Sequence, residues 1–237
     1  MSAGGRDAGM TLQPDQVRDM FDRITPSYDR MNRVMSLGMD WSWRARAVRC
    51  AGLAPGSSAI DVCCGTGDLA IELLDAVSTR GRVVGLDFSE RMLEAARAKS
   101  SQVEWIRGDA LDLPFATGEF DACTVGFGVR NLPDIERGFR EMARVVRPGG
   151  RVVCLELTPP PRLVAPFARL WTDRAVPLLG RFMAGETDAY RYLPASVHRF
   201  PPAPELAAIM RSAGLDRVQY RRLSGGAVAL HVGTVAV

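Results

Sequence analysis

The chain has 237 residues, of which 47% are hydrophobic and 24% charged, a composition ordinary for a soluble globular protein with one substantial core. Its 30 basic and 27 acidic residues leave a formal net charge of +3, too balanced to point to nucleic acid as a partner. No uninterrupted apolar stretch reaches the roughly 18–20 residues of a membrane span. The five cysteines (Cys50, Cys63, Cys64, Cys123, Cys154) form no C-x-x-C pair and lie far in sequence from His198 and His231. No metal site is expected from such spacing, and the thiols read as reduced, small apolar filler in a cytoplasmic protein.

Residues 1–13 read as a flexible tail without a secretory signal. Residues 14–52 follow, helical in pattern and rich in Met and aromatics (Met20, Phe21, Tyr28, Met31, Met35, Met39, Trp41, Trp43). Strand and helix then alternate. Strands are predicted over 58–62, 82–86, 103–106, 120–125 and 151–156. Helices are predicted over 69–77, 90–99 with Ser89 as N-cap, and 134–146 with Asp134 at its N-cap, the last broken by Pro148-Gly149-Gly150. This alternation means a parallel sheet with helices on both faces. After a segment at 158–202, a helix over 203–213 stops at Gly214. Strands over 216–223 and 227–236, joined at Ser224-Gly225-Gly226, add an antiparallel hairpin. The expected architecture is a seven-stranded, mostly parallel α/β sheet with a single domain over 14–237, a helical N-terminal cap and a lid insertion at 158–202. Cap and lid are placed to cover the carboxyl edge of the sheet, where open α/β folds bind ligands.

The run Ile60-Asp61-Val62-Cys63-Cys64-Gly65-Thr66-Gly67-Asp68-Leu69-Ala70 carries the chemistry. An apolar strand ends at an acid, a glycine turn follows and a helix begins, which is how a strand hands over to a helix around a nucleoside. Gly65 and Gly67 permit a tight turn and close backbone approach. Two ligands compete for the turn. A dinucleotide would set its pyrophosphate against Asp68, an unfavourable pairing. S-adenosylmethionine brings a sulfonium and an α-ammonium, for which Asp61 and Asp68 are suitable neighbours. Asp87, at the end of the second strand, can accept two hydrogen bonds from ribose hydroxyls. After the third strand, Asp109 can accept the adenine amino group and the Ala110 N–H can bond a ring nitrogen. Thr66 completes the expected cofactor set. Three successive strand ends with usable polar groups describe a class I, Rossmann-like methyltransferase site.

The loop after the fourth strand reads Gly126-Phe127-Gly128-Val129-Arg130-Asn131-Leu132 and lacks an N-P-P-Y type sequence. At this loop the chain resembles the ubiquinone/menaquinone biosynthesis C-methyltransferases, over about residues 16–237. The resembling motifs are Tyr28-Asp29-x-Met31-Asn32-x-x-Met35-Ser36 running to Trp43, Phe127-Gly128-Val129-Arg130-Asn131, and Arg144-Val145-Val146-Arg147-Pro148-Gly149-Gly150 running to Glu156. Tyr190-x-Tyr192-Leu193-Pro194-x-Ser196, Phe200-Pro201 and Gly225-Gly226 through His231 are also similar. Asp40 stands where the family usually has His, Arg147 where it has Lys, Thr158 where it has Ser, and Gly126 where a cofactor-associated Ser is common.

The resemblance implies methyl transfer from S-adenosylmethionine to a ring carbon of a polyprenylated hydroquinone. The use of arginine in place of lysine, with Lys99 the single lysine, is the ground for expecting demethylmenaquinol over a benzoquinol or another small aromatic acceptor. Arg130 is the expected catalytic residue, holding a phenolate or orienting a water rather than acting as a simple base, since its guanidinium stays protonated. Asn131, Tyr190, Tyr192 and His198 are expected to line the acceptor pocket. A cytoplasmic enzyme touching the inner membrane surface transiently, and able to form a homodimer, completes the expectation. A nicotinamide-dependent oxidoreductase and a non-catalytic cofactor-binding module are the competing classes.

Overall fold

The computed structural model describes residues 13–159 and 187–237; for Pro14 and residues 187–191 it describes the backbone alone. Most of the expected lid, 160–186, and the Tyr190 side chain lie outside the described residues.

Seven strands form one sheet: β1 (Ser58–Val62), β2 (Arg82–Asp87), β3 (Glu104–Arg107), β4 (Phe120–Gly126), β5 (Val146–Leu157), β6 (Leu215–Leu223) and β7 (Val228–Val235). Their order is β3-β2-β1-β4-β5-β7-β6. The pairs from β3 through β5 are parallel, and β7 is antiparallel to both of its neighbours. The C-terminal hairpin forms one edge of the sheet, as expected; its second strand, β7, lies between β5 and β6, so β6 takes the outermost position.

β1, β2 and β4 are apolar runs because both of their faces are covered. On one face Ile60, Val84, Leu86 and Val125 pack with Phe139 and Met142 of α6 (Ile135–Val145) and with Leu206 and Met210 of α8 (Ala203–Ser212). On the other, Ala59 and Val83 meet Leu73 and Val77 of α4 (Asp68–Val77), while Val153, Leu155 and Leu230 meet Trp43 and Ala47 of α3 (Asp40–Ala51). Phe139 is fully buried, and truncating such a side chain to Ala costs about 3–5 kcal/mol.

Local chemistry sets the helix starts. The Ser89 hydroxyl accepts from the Met92 N–H at 3.0 Å and caps α5 (Glu90–Lys99). Asp134 accepts from the Arg137 N–H at 2.9 Å and caps α6. One boundary differs. Pro148-Gly149-Gly150 was expected to separate the helix from the fifth strand, yet β5 begins at Val146 directly after α6. β4 pairs through Phe120 with Val146 and then through Ala122 with Arg151. The Pro-Gly-Gly run is therefore a bulge inside the strand, tolerated because such residues bend a ladder without ending it.

The N-terminal segment forms α1 (Pro14–Ile24), α2 (Tyr28–Met35) and α3. Val17, Met20 and Ile24 of α1 bury against Tyr192 of α7 (Thr187–Arg199). The cap thus lies over the carboxyl ends of β1 and β2, joined to the sheet by side chains rather than by backbone ladders.

Candidate active site

Strand order reverses between β1 and β4, and at that point a cavity of about 480 Å³ opens at the carboxyl ends of the strands. Its floor is supplied by Cys63 and Gly65 after β1, Asp87 and Phe88 at the end of β2, Gly108 to Leu111 after β3, and Gly126 to Gly128 at the end of β4. Val17, Arg18 and Phe21 of α1 and Tyr28 of α2 form the cover.

The glycine turn is built as its sequence demands. Gly65 and Gly67 adopt φ values of +55° and +86°. A Cβ on Gly67 would lie 2.3 Å from the Trp105 indole, and one on Gly85 2.4 Å from the same ring. Trp105 therefore needs glycine at both positions. Cys63 and Phe127, both in the cavity wall, hold φ of +56° and +59°. Two non-glycine residues in the left-handed region on the wall of one cavity mark a place where packing overrides local preference.

Asp87 is buried and lines the cavity. One carboxylate oxygen accepts from the Gly65 N–H at 2.8 Å and the other from the Ser89 N–H at 3.0 Å. It thereby ties the glycine turn to β2, and the carboxylate keeps acceptor capacity for a hydroxyl in the cavity. Burial pushes its carboxyl above the usual range. Asp109 and Ala110 also line the cavity, and Asp109 accepts from the Leu111 N–H at 2.9 Å, which fixes the turn after β3. Gly65, Asp87, Asp109 and Ala110 are thus brought together along one wall.

Asp61, Thr66 and Gly67 stand behind that wall and do not line the cavity. Asp61 lies under the turn, where the Thr124 hydroxyl donates to it at 2.6 Å, and burial pushes its carboxyl up to about 7. Thr66 donates to Asp29 of α2 at 2.5 Å. Asp68, expected beside a bound cation, is committed elsewhere: the Lys99 ammonium sits 2.6 Å from it and the Arg44 guanidinium 3.5 Å. Lys99 also reaches Asp29 at 2.6 Å. Asp29, Thr66, Lys99 and Asp68 together clasp the cap to the glycine turn. Asp40 accounts for its place in the first motif structurally. It is buried, accepts from Ser36 at 2.7 Å and pairs with Arg44 at 2.9 Å.

On the acceptor side, Asn131 lines the cavity and its side-chain oxygen accepts from the Tyr192 hydroxyl at 3.1 Å. Arg130 is not in the cavity wall. Its guanidinium pairs with the buried Glu156 at 2.8 Å and also donates to the Phe127 carbonyl, while its backbone N–H bonds Glu156 at 3.2 Å. Its Nε is buried without a partner among the described residues. The charge nonetheless acts nearby. Burial raises the Tyr28 and Tyr192 hydroxyls above the ordinary tyrosine range, and Arg130 opposes that rise at both. His198 lies in the last turn of α7, outside the cavity wall. Sequence reasoning missed Tyr28, Cys63 and the α1 residues as wall. The Tyr28 motif was the available signal, while the α1 contacts follow only from how the cap docks.

A doubly wound sheet with one reversed strand beside its edge, and a nucleoside-sized cavity at its switch point, is the build of a class I methyltransferase. The solved structure of a protein from Thermotoga maritima, described as a possible histamine N-methyltransferase, shares this fold with a TM-score of 0.64 at 23% identity, covering 91% of this chain and 98% of that one. Within the class, the chain belongs to the ubiE/COQ5 methyltransferase family, whose profile matches residues 9–235. It is similar to the demethylmenaquinone methyltransferase of Desulfitobacterium hafniense, with 44% identity over 92% of this chain and 88% of the relative. It is also similar to that of Bacillus cereus, with 42% identity over 92% of this chain and 95% of the relative.

Proposed function

We propose that this enzyme transfers a methyl group from S-adenosylmethionine to a ring carbon of demethylmenaquinol, giving menaquinol. The observation that carries the acceptor is the relationship to demethylmenaquinone methyltransferases along nearly the whole chain, at 42–44% identity. The cavity supports the donor. Asp87 faces it with acceptor capacity for a ribose, Asp109 and the Ala110 N–H lie where an adenine can be read, and the Gly65 turn offers backbone without a side chain. When bound, the cofactor supplies an electrophilic methyl carbon.

The chain's own contribution is alignment and control of a proton. Holding the ring carbon in line with the methyl group supplies up to about 7–11 kcal/mol in favourable systems. Loss of the phenolic proton to water raises electron density at the ortho carbon. After the carbon–carbon bond forms, that carbon releases its own proton and the ring regains aromaticity. Asn131, held by Tyr192, is placed to orient the phenolic oxygen. Arg130 acts through its charge, held in place by Glu156, which favours the phenolate. Tyr190 and His198 stay as proposed contributors to the acceptor side from α7.

Mass spectrometry of the quinone pool after gene deletion is the direct test. Accumulation of a menaquinone lacking one ring methyl is expected, and restored methylation on returning the wild-type chain. Accumulation of a benzoquinone precursor, or an unchanged pool, overturns the assignment.

A further inference from the structure

The turn joining α2 to α3 gathers three of the five large apolar residues that are exposed among the described ones: Leu37 at 70%, Met39 at 39% and Trp41 at 65%. Leu37 sits at φ +53°, a left-handed position after a helix that glycine normally fills. The turn is nevertheless closed. The Gly38 N–H bonds the Arg33 carbonyl at 2.8 Å and the Leu37 N–H bonds the Val34 carbonyl at 3.1 Å. Behind it, Trp43 donates to the Ser224 hydroxyl at 3.1 Å. A hydrogen-bonded turn thus presents a leucine, 70% exposed, in a conformation leucine disfavours.

The outer side of α3 continues the surface. Trp43, Ala47 and Ala51 are buried, so Trp41, Ala45 and Arg49 run along the opposite side with Arg46 beside them. Arg33, Arg46 and Arg49 are exposed. Asp40 is the one acid between residues 30 and 51, and it is buried against Arg44. The surface is an apolar tip with an arginine rim and no exposed carboxylate of its own segment.

We propose that this face docks on an anionic phospholipid bilayer, with Leu37 and Trp41 entering the boundary between headgroups and acyl chains and the arginines meeting lipid phosphates. Its purpose, meeting a lipid-soluble acceptor, rests on the function proposed above. A second copy of the chain is the less suitable occupant. A two-fold interface through this face would set Arg33, Arg46 and Arg49 against their own copies, whereas an anionic surface neutralises them. The geometry also connects face and cavity. α2 starts at Tyr28 in the cavity cover and ends at Met35 beside the turn, a span of about 12 Å at 1.5 Å per residue. Among the described residues no helix is long and apolar enough to cross a membrane, so the contact is with one surface.

Flotation of the full chain on vesicles tests this. Wild type is expected to float with equimolar phosphatidylcholine and phosphatidylglycerol, to release as salt rises, and to stay behind with phosphatidylcholine alone. The variant Leu37→Gly with Trp41→Ser should float roughly tenfold less. Glycine suits the backbone at position 37, so the fold and activity toward a short-tailed, water-soluble acceptor should be retained. Arg46→Gln with Arg49→Gln should remove most of the salt-sensitive part. Failure of wild type to float on the mixed vesicles, or flotation of the Leu37/Trp41 variant equal to wild type, overturns the proposal. So does conversion of a wild-type dimer to monomer by that variant with flotation unchanged. Normal flotation by a chain that methylates no quinol would refute the function and leave the docking face standing.

Discussion

Asp61 offers a test of how the buried base of the glycine turn is ionised. The carboxyl is 1% exposed and accepts one side-chain hydrogen bond, from Thr124. Burial is the main reason its pKa is pushed up from 3.8 to about 7, and the neighbouring Asp87 charge adds to it, while the bonds from Thr124 and the Ala70 backbone oppose it. The sign follows from linkage. Between the two values the unfolded chain has released this proton and the folded chain still holds it, so stability from this group is fully present below about pH 4 and is lost as pH rises toward 7. The slope is about 1.4 kcal/mol per pH unit, and the whole effect approaches about 4 kcal/mol. Asp61→Asn removes the ionisation and keeps an acceptor for Thr124. Urea unfolding of both proteins from pH 4 to pH 8 should give a stability difference that moves in favour of the variant across the window and levels off above pH 7. A difference independent of pH refutes the reasoning, because it would mean that folding does not shift this carboxyl. Binding of a cation over the turn should favour the carboxylate. Saturating S-adenosylmethionine is therefore expected to flatten the wild-type pH dependence and to release a proton near pH 6, measurable by calorimetry in buffers of different ionisation enthalpy.

Lys99→Ala removes both arms of the clasp between cap and glycine turn. Its partners Asp29 and Asp68 are 42% and 38% exposed, so each arm is worth at most about 1 kcal/mol; amide exchange in α1 and α2 should quicken and cofactor affinity fall severalfold, with Lys99→Arg restoring both. Gly67→Ala meets Trp105 at 2.3 Å and fixes an alanine at φ +86°, and thermal unfolding should report a loss of about 3 kcal/mol or more. Adding Trp105→Ala should recover part of that loss, because the two changes share one clash. Tyr192→Phe deletes the bond to Asn131 and should raise KM for the acceptor more than it lowers kcat, with stability changed by about 1 kcal/mol.

Much of the fold is legible in the linear chain because it depends on neighbours in sequence. The strands at β1, β2 and β4 are apolar runs, and the caps at Ser89 and Asp134 bond N–H groups three residues on. The glycine turn needs residues that accept positive φ, and Asp87 ends its strand at the spacing that a ribose carboxylate requires. Those features mark the candidate site and the class of ligand expected there.

Other features are decided by partners that only packing brings together. Asp68 reads as a cation's neighbour until Lys99, 31 residues away, is found 2.6 Å from it. Arg130 reads as a side chain in the pocket until Glu156, 26 residues away, is found holding it in the wall. Pro148-Gly149-Gly150 reads as a break, yet the ladder between β4 and β5 carries it as a bulge. Trp105 against Gly67 and Gly85, and the left-handed Cys63 and Phe127, have no local signal at all. Hydrogen bonds and caps within a few residues are fixed by backbone geometry, so the sequence by itself determines them. The direction of a long charged side chain, and the strain a backbone will accept, depend on which distant groups share its burial, and the tertiary structure alone decides that.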